Sequence, residues 1–240
     1  PSLHMNSVFT HYFLTPYLLI KHMCFNLIDC WNNFIELNEV AYDSYIEHFI
    51  KHDNEQLANI LKEQSKRMDI QPCVGLQAGK LLGLLIRTIQ GKSILEFGTC
   101  IGYSTIWIAQ ALKETGGKLI ATEYNQDLLN EAKKNIEEAG LSDYVEFILG
   151  DANEVINHLE GPFDMILQDS DKSLYPQMLE RCINLLRKDG LLIADDVLFK
   201  PMGLPEKFSE PVDQYLKKVF VHPNKSNKTS KAILIDNQRV

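Results

Sequence analysis

Ile94 to Ser104 reads I-L-E-F-G-T-C-I-G-Y-S, and this stretch decides the fold. An apolar run, Ser93 to Phe97, stops at Gly98, and a second glycine follows at Gly102. A helical pattern begins at Tyr103 and runs through Thr105, Ile106, Trp107 and Ile108 to Leu112. The pattern predicts a strand, a tight glycine turn and a helix. Such a turn can aim backbone N–H groups and a positive helix N-terminus at an anionic or polar ligand. Lacking a Cβ, Gly98 allows positive φ and Gly102 close approach. The spacing E-x-G-x-x-x-G differs from the G-x-G-x-x-G of dinucleotide-binding turns. Glu96 suits the α-amino group of an amino-acid-like ligand; its simpler reading is a cap on the turn.

Outward from this turn the rhythm is regular. Strands are predicted at 93–97, 118–122, 145–149, 163–168 and 190–194, with helices at 103–114, 126–139, 152–159 and 174–187. Strand and helix alternating in this way mean an α/β fold with a mostly parallel sheet covered on both faces. Gly140 and Gly190 read as helix stops, and Ala232–Ile235 as one more short strand. Upstream, Glu39–Lys51, Asn54–Met68 and Leu76–Ile89 carry helical periodicity, the last ending at Gly91. Residues 1–90 thus read as a helical arm and lid packed on a core at 91–240 within one domain. The uncharged Val8–Ile20 is too short to span a bilayer and lacks signal-peptide features. It reads as an amphipathic arm covering a site or a partner subunit.

A chain of 240 residues can bury a sizeable core. Its net charge of −8 argues against a broad nucleic-acid footprint. The five cysteines lack metal or redox spacing and read as reduced thiols of a cytoplasmic protein. Cys100, in the glycine turn, reads as a small apolar filler.

Acids stand at the carboxyl ends of the strands, where open α/β sheets bind ligands. Glu123 ends the second strand, about 25 residues after the first glycine, where it can accept both hydroxyls of a ribose. Asp151, in Leu149-Gly150-Asp151-Ala152, suits an adenine amino group; either acid could instead be an ordinary loop acid or cap. Glu96, Gly98, Gly102, Glu123 and Asp151 together fit S-adenosylmethionine better than NAD, with Ala152 beside them. The fourth strand ends as Gln168-Asp169-Ser170-Asp171-Lys172 and the fifth as Ala194-Asp195-Asp196. If the two strands are neighbours, their ends lie about 5 Å apart and Asp169, Asp195 and Asp196 crowd one point. Carboxylates that close need a proton or a cation among them. An all-oxygen set favours Mg²⁺, with Mn²⁺ or Ca²⁺ as alternatives. Asp195 and Asp196 could also simply cap the following turn. Asp171 reads as a capping acid.

I-L-E-F-G-T-C-I-G-Y-S, then G-D-A, Q-D-S-D-K-S-L-Y and A-D-D-V-L-F, over residues 68–200, resemble the cation-dependent O-methyltransferases of the catechol and caffeoyl-coenzyme A type. The resemblance implies a Rossmann-like class I methyltransferase with an N-terminal helical extension, using S-adenosylmethionine and a divalent cation. It implies Asp169, Asp195 and Asp196 as metal ligands, Asp169 also facing the cofactor, Lys172 as general base, and Ser104 as a contact of the methionine carboxylate. It implies a catechol-like acceptor and a homodimer. Other acceptor readings are a hydroxylated uridine in tRNA, supported by the basic tail (Lys225, Lys228, Lys231), and a cofactor binder without chemistry. Phe199, Met202 and Gly203-Leu204-Pro205 are expected to wall an aromatic acceptor. The chain departs from the family in Asp196, where Asn is usual, and at its end, where Ile235-Asp236-Asn237-Gln238 replaces a Gly-Asp-Gly hairpin.

Overall fold

The computed structural model describes residues 54–221 and the backbone of 230–234. The Val8–Ile20 arm, the Glu39–Lys51 helix, Lys225, Lys228 and the 235–240 end lie outside them, and Lys231 is described through its backbone alone. His52–Val240 forms one compact unit. In chain order its elements are α1 (Glu55–Gln64), α2 (Gly75–Ile89), β1 (Ser93–Phe97), α3 (Tyr103–Thr115), β2 (Lys118–Glu123), α4 (Gln126–Glu138), β3 (Val145–Leu149), α5 (Ala152–Val155), β4 (Phe163–Gln168), α6 (Tyr175–Leu185), β5 (Leu186–Ala194), α7 (Glu206–Val221) and β6 (Ser230–Leu234). The sheet order is β3-β2-β1-β4-β5-β6, and every pairing among the described residues is parallel. β1 and β4 are the central pair, so the order reverses beside the glycine turn. That is where a doubly wound sheet opens a crevice.

Strand alternation sends side chains to opposite faces. Leu95, Phe97, Ile166, Leu192 and Ala194 pack on α6 and α7 through Met178, Leu179, Cys182, Val212 and Tyr215. The intervening Glu96 points the other way, to Thr105 of α3. α3 is apolar nearly all round because it lies between the sheet and α2, and Tyr103 to Ala109 are all buried. An all-round apolar helix needs a close neighbour, and α2 supplies one through small residues. A Cβ at Gly79 would stand 2.3 Å from the Trp107 indole. α4 shows the opposite pattern, with Leu129, Ala132 and Ile136 on one buried stripe. Asn125 caps it by accepting from the N–H groups of Asp127 and Leu128.

Three expectations change. Helix α2 stops through Gln90, which itself takes the left-handed conformation at φ 52°, before Gly91. Gly190 is no helix stop. α6 ends at Leu185 and β5 begins at once, the positive φ falling on Asp189 (62°) while Gly190 lies within the strand. The helix expected at 152–159 is one turn of α-helix followed by a 3₁₀ turn at Ile156–His158.

Gly79→Ala is expected to cost about 1–3 kcal/mol by forcing Trp107 from its place. Urea unfolding measures it, and an unchanged midpoint would mean that α2 and α3 can separate freely.

Candidate active site

The glycine turn is built by its own hydrogen bonds. The N–H groups of Gly98 and Thr99 donate to Thr122 O, and that of Gly102 to Thr99 O. The Cys100 N–H donates to Glu123 Oε2 at 2.8 Å. These four donors hold the turn. Gly98 and Gly102 both have positive φ, 95° and 92°. What approaches Gly98 is protein: an added Cβ would stand 2.1 Å from Asp169 O and 2.9 Å from Ser170 N. A Cβ at Gly102 would stand 3.4 Å from Ala132 of α4. Cys100 is half-buried, and burial pushes its thiol up to about 11, which suits a filler and not a nucleophile.

Side chains are left to meet a ligand. Glu96 is fully buried; its Oε2 accepts from Thr105 Oγ1 at 2.7 Å. Its Oε1, Thr99 Oγ1 and Ser170 Oγ are buried with no hydrogen-bond partner among the described residues. Burial without a charge partner pushes the Glu96 carboxyl from 4.5 to about 7. Ser104, the second residue of α3, is buried. Glu123 is held at both oxygens, Oε2 by Cys100 N–H and Oε1 by Asn125 N–H at 3.0 Å. Asp151 caps α5 through Asn153 N–H, beside buried Ala152. Capping occupies Oδ1 only.

Tyr124, 74 % exposed directly after Glu123, offers an aromatic face at the same strand end. An exposed tyrosine following a strand-end acid was the signal for it in the sequence.

β4 and β5 are neighbours, in register from Met165–Leu191 to Gln168–Ala194. Their ends bring Asp169, Asp195 and Asp196 together, with one carboxylate oxygen of each within 4.8 Å of the others. Asp196 takes left-handed backbone geometry, φ 54°. Lys172 Nζ lies 2.7 Å from Asp169 Oδ1 and 3.4 Å from Asp196 Oδ2. Burial raises the Asp169 carboxyl while Lys172 pulls it back. Burial, then the two neighbouring carboxylates, push Asp195 up to about 8. Burial works to lower the Lys172 ammonium, but Asp169 and Asp196 outweigh it and raise it. One buried and two partly buried carboxylates with one lysine leave an excess of negative charge, and the oxygen-only donors fit a hard divalent cation. Asp171 caps the turn that carries Lys172, by accepting from Ser173 N–H. Phe199 is no wall for an acceptor: it is buried in the core beside Val197. Leu198 and Met202 are the more exposed apolar side chains of that segment.

Residues 46–233 match the family model described as O-methyltransferase. The chain belongs to the O-methyltransferase family. It is 36 % identical over 178 residues to a catechol O-methyltransferase of Niastella koreensis, covering 72 % of this chain and 80 % of that one. A catechol O-methyltransferase of Mycobacterium tuberculosis is 31 % identical over 162 residues, 67 % and 73 % of the two chains. An O-methyltransferase of Bacillus cereus solved in complex with SAH superposes with a TM-score of 0.66 at 28 % identity, covering 76 % and 86 %. TomG of Streptomyces achromogenes, solved with SAM, gives 0.67 at 27 % identity, covering 75 % and 84 %. This O-methyltransferase is thus an S-adenosylmethionine-dependent enzyme of the catechol and caffeoyl-coenzyme A type. None of its described helices is long and apolar enough to cross a membrane.

Glu96 has a pH consequence. The folded chain keeps its proton up to about 7, whereas an unfolded glutamate releases it near 4.5. Stability without ligand therefore falls as pH rises between these values. A ligand ammonium beside Glu96 reverses the preference, so S-adenosylhomocysteine affinity is expected to rise with pH, by up to about tenfold per unit below 7. Calorimetric titration from pH 5 to 8 measures this, and Glu96→Gln is expected to flatten it. An equally steep profile in that variant would take the amine away from Glu96.

Proposed function

We propose that this O-methyltransferase transfers a methyl group to one hydroxyl of a catechol-like small molecule, assisted by a divalent cation. The observation that carries the reading is Lys172 beside three carboxylates at the ends of β4 and β5. The 36 % identity to a protein named catechol O-methyltransferase supports the acceptor class.

In this reading Glu96 receives the methionine amine of the cofactor and Ser104 its carboxylate. Glu123, already oriented by two backbone N–H groups, receives the ribose hydroxyls. Asp151 Oδ2 is left for the adenine amino group. The buried, partnerless oxygens of Glu96, Thr99 and Ser170 fit such a polar ligand. Asp169, Asp195 and Asp196 would hold a divalent cation, Mg²⁺ by the hardness of the donors. When bound there, the cation supplies Lewis-acid chemistry, lowering the pKa of an acceptor hydroxyl. Lys172 Nζ is the proton acceptor. Its carboxylate neighbours favour its charged form, and compensating part of their charge frees it for this role. Transfer of the sulfonium methyl to the deprotonated oxygen would form the C–O bond as the C–S bond breaks, leaving S-adenosylhomocysteine. Rigid strand ends supply the alignment on which the rate depends.

Methyl transfer from labelled S-adenosylmethionine to catechol is expected with Mg²⁺ and is expected to stop with EDTA. Lys172→Ala is expected to retain S-adenosylhomocysteine affinity and to lose at least about a hundredfold in turnover. Asp169→Ala is expected to abolish the response to Mg²⁺; unchanged EDTA sensitivity in that variant would remove Asp169 from the ligand set. No transfer to catechol, with S-adenosylhomocysteine still bound, would require a different acceptor.

A further inference from the structure

Behind the carboxylates lies a buried pair of tyrosines with no part in the chemistry above. Tyr175 opens α6, and its side chain is fully buried. Its hydroxyl donates to Gln168 O at 2.6 Å and lies 3.3 Å from Asp195 O. One O–H group therefore spans the last residue of β4 and the first residue after β5. The Asp195 N–H donates to the same Gln168 carbonyl at 3.1 Å. Gln168 precedes Asp169, and Asp195 precedes Asp196, so the bridge sits at the root of all three carboxylates. The Tyr175 ring also faces Lys172, whose Nζ lies 5.6 Å from the ring centroid. Tyr215 of α7 meets the Tyr175 ring edge-on at 5.3 Å. It donates to the Gln168 side chain, Oε1, at 2.8 Å. It thus touches the side chain of Gln168 and neither of the two bridged carbonyls.

We propose that Tyr175 is the positioning residue of this site, its hydroxyl clasping the ends of β4 and β5 and its ring seating Lys172, so that the three carboxylates keep the spacing one cation requires. The inference rests on the cation-assisted reading above. Like-charged groups repel, and the strand ends bearing the three acids are held against that repulsion by the Asp195 N–H bond to Gln168 O and by the Tyr175 hydroxyl. A hydroxyl shared between backbone carbonyls does so without adding charge.

Tyr175→Phe keeps ring, volume and the contact with Lys172, and removes only the clasp. Tyr215→Phe removes a buried hydroxyl of similar setting that does not join the strands. Mn²⁺ affinity is read by electron paramagnetic resonance without acceptor, S-adenosylhomocysteine affinity by calorimetry, and stability by urea unfolding. Tyr175→Phe is expected to weaken Mn²⁺ binding at least about tenfold, as losses of groups that orient metal ligands do. Its S-adenosylhomocysteine affinity is expected to match that of the unsubstituted chain. Tyr215→Phe is expected to lower stability and leave Mn²⁺ affinity unchanged. Equal Mn²⁺ affinity in Tyr175→Phe and the unsubstituted chain overturns the proposal alone. Equal weakening in both variants, or loss of S-adenosylhomocysteine binding by Tyr175→Phe, overturns it too, because the hydroxyl then serves the fold at large. Absence of Mn²⁺ binding by the unsubstituted chain removes the proposal together with the cation reading.

Discussion

A Cβ at residue 98 would stand 2.1 Å from the carbonyl oxygen of Asp169, and the site depends on that closeness. The backbone after β4 runs directly over the glycine turn, with its N–H at Asp169 continuing the ladder onto Phe97 O. The glycine turn and the strand end that bears the first acid are therefore one junction, and in the proposed reading it would keep a methyl donor beside the acids.

Electrostatics at the junction is unbalanced by construction. The sheet places Asp169, Asp195 and Asp196 side by side, partly or wholly out of water, with Lys172 as the nearby cation. Burial alone would favour neutral acids, and the raised Asp195 carboxyl expresses that tendency. Groups whose charge state responds this strongly to a neighbour are characteristic of sites built to receive one. Glu96 is the same device on β1, a buried acid whose preferred form depends on what stands beside it.

The alternation of strands and helices was legible because each strand is a short apolar run closed by a turn residue. β1, β3 and β4 fall on the expected residues. The start of β5 was hidden because Arg187-Lys188-Asp189-Gly190 has turn composition, yet Asp189 absorbs the left-handed angle inside a strand. The acids were legible from their places at strand ends. Tyr175 and Tyr215 were not, since their partners come from other elements, mostly backbone carbonyls, and periodicity carries no record of such contacts. Phe199 misled for a related reason. An aromatic after the acids that follow β5 suggests a pocket wall, but the chain turns it into the core.

Four N–H groups of the glycine turn are engaged by protein oxygens. Its path is therefore set by the chain's own hydrogen bonds, and in the proposed reading little conformational entropy would be lost there on association. Discrimination among cofactor analogues then falls to a few side chains mounted on a frame that does not remould itself. Such a frame separates the evolution of selectivity from the maintenance of folding: a side chain can change its preference while the loop beneath it keeps the same path.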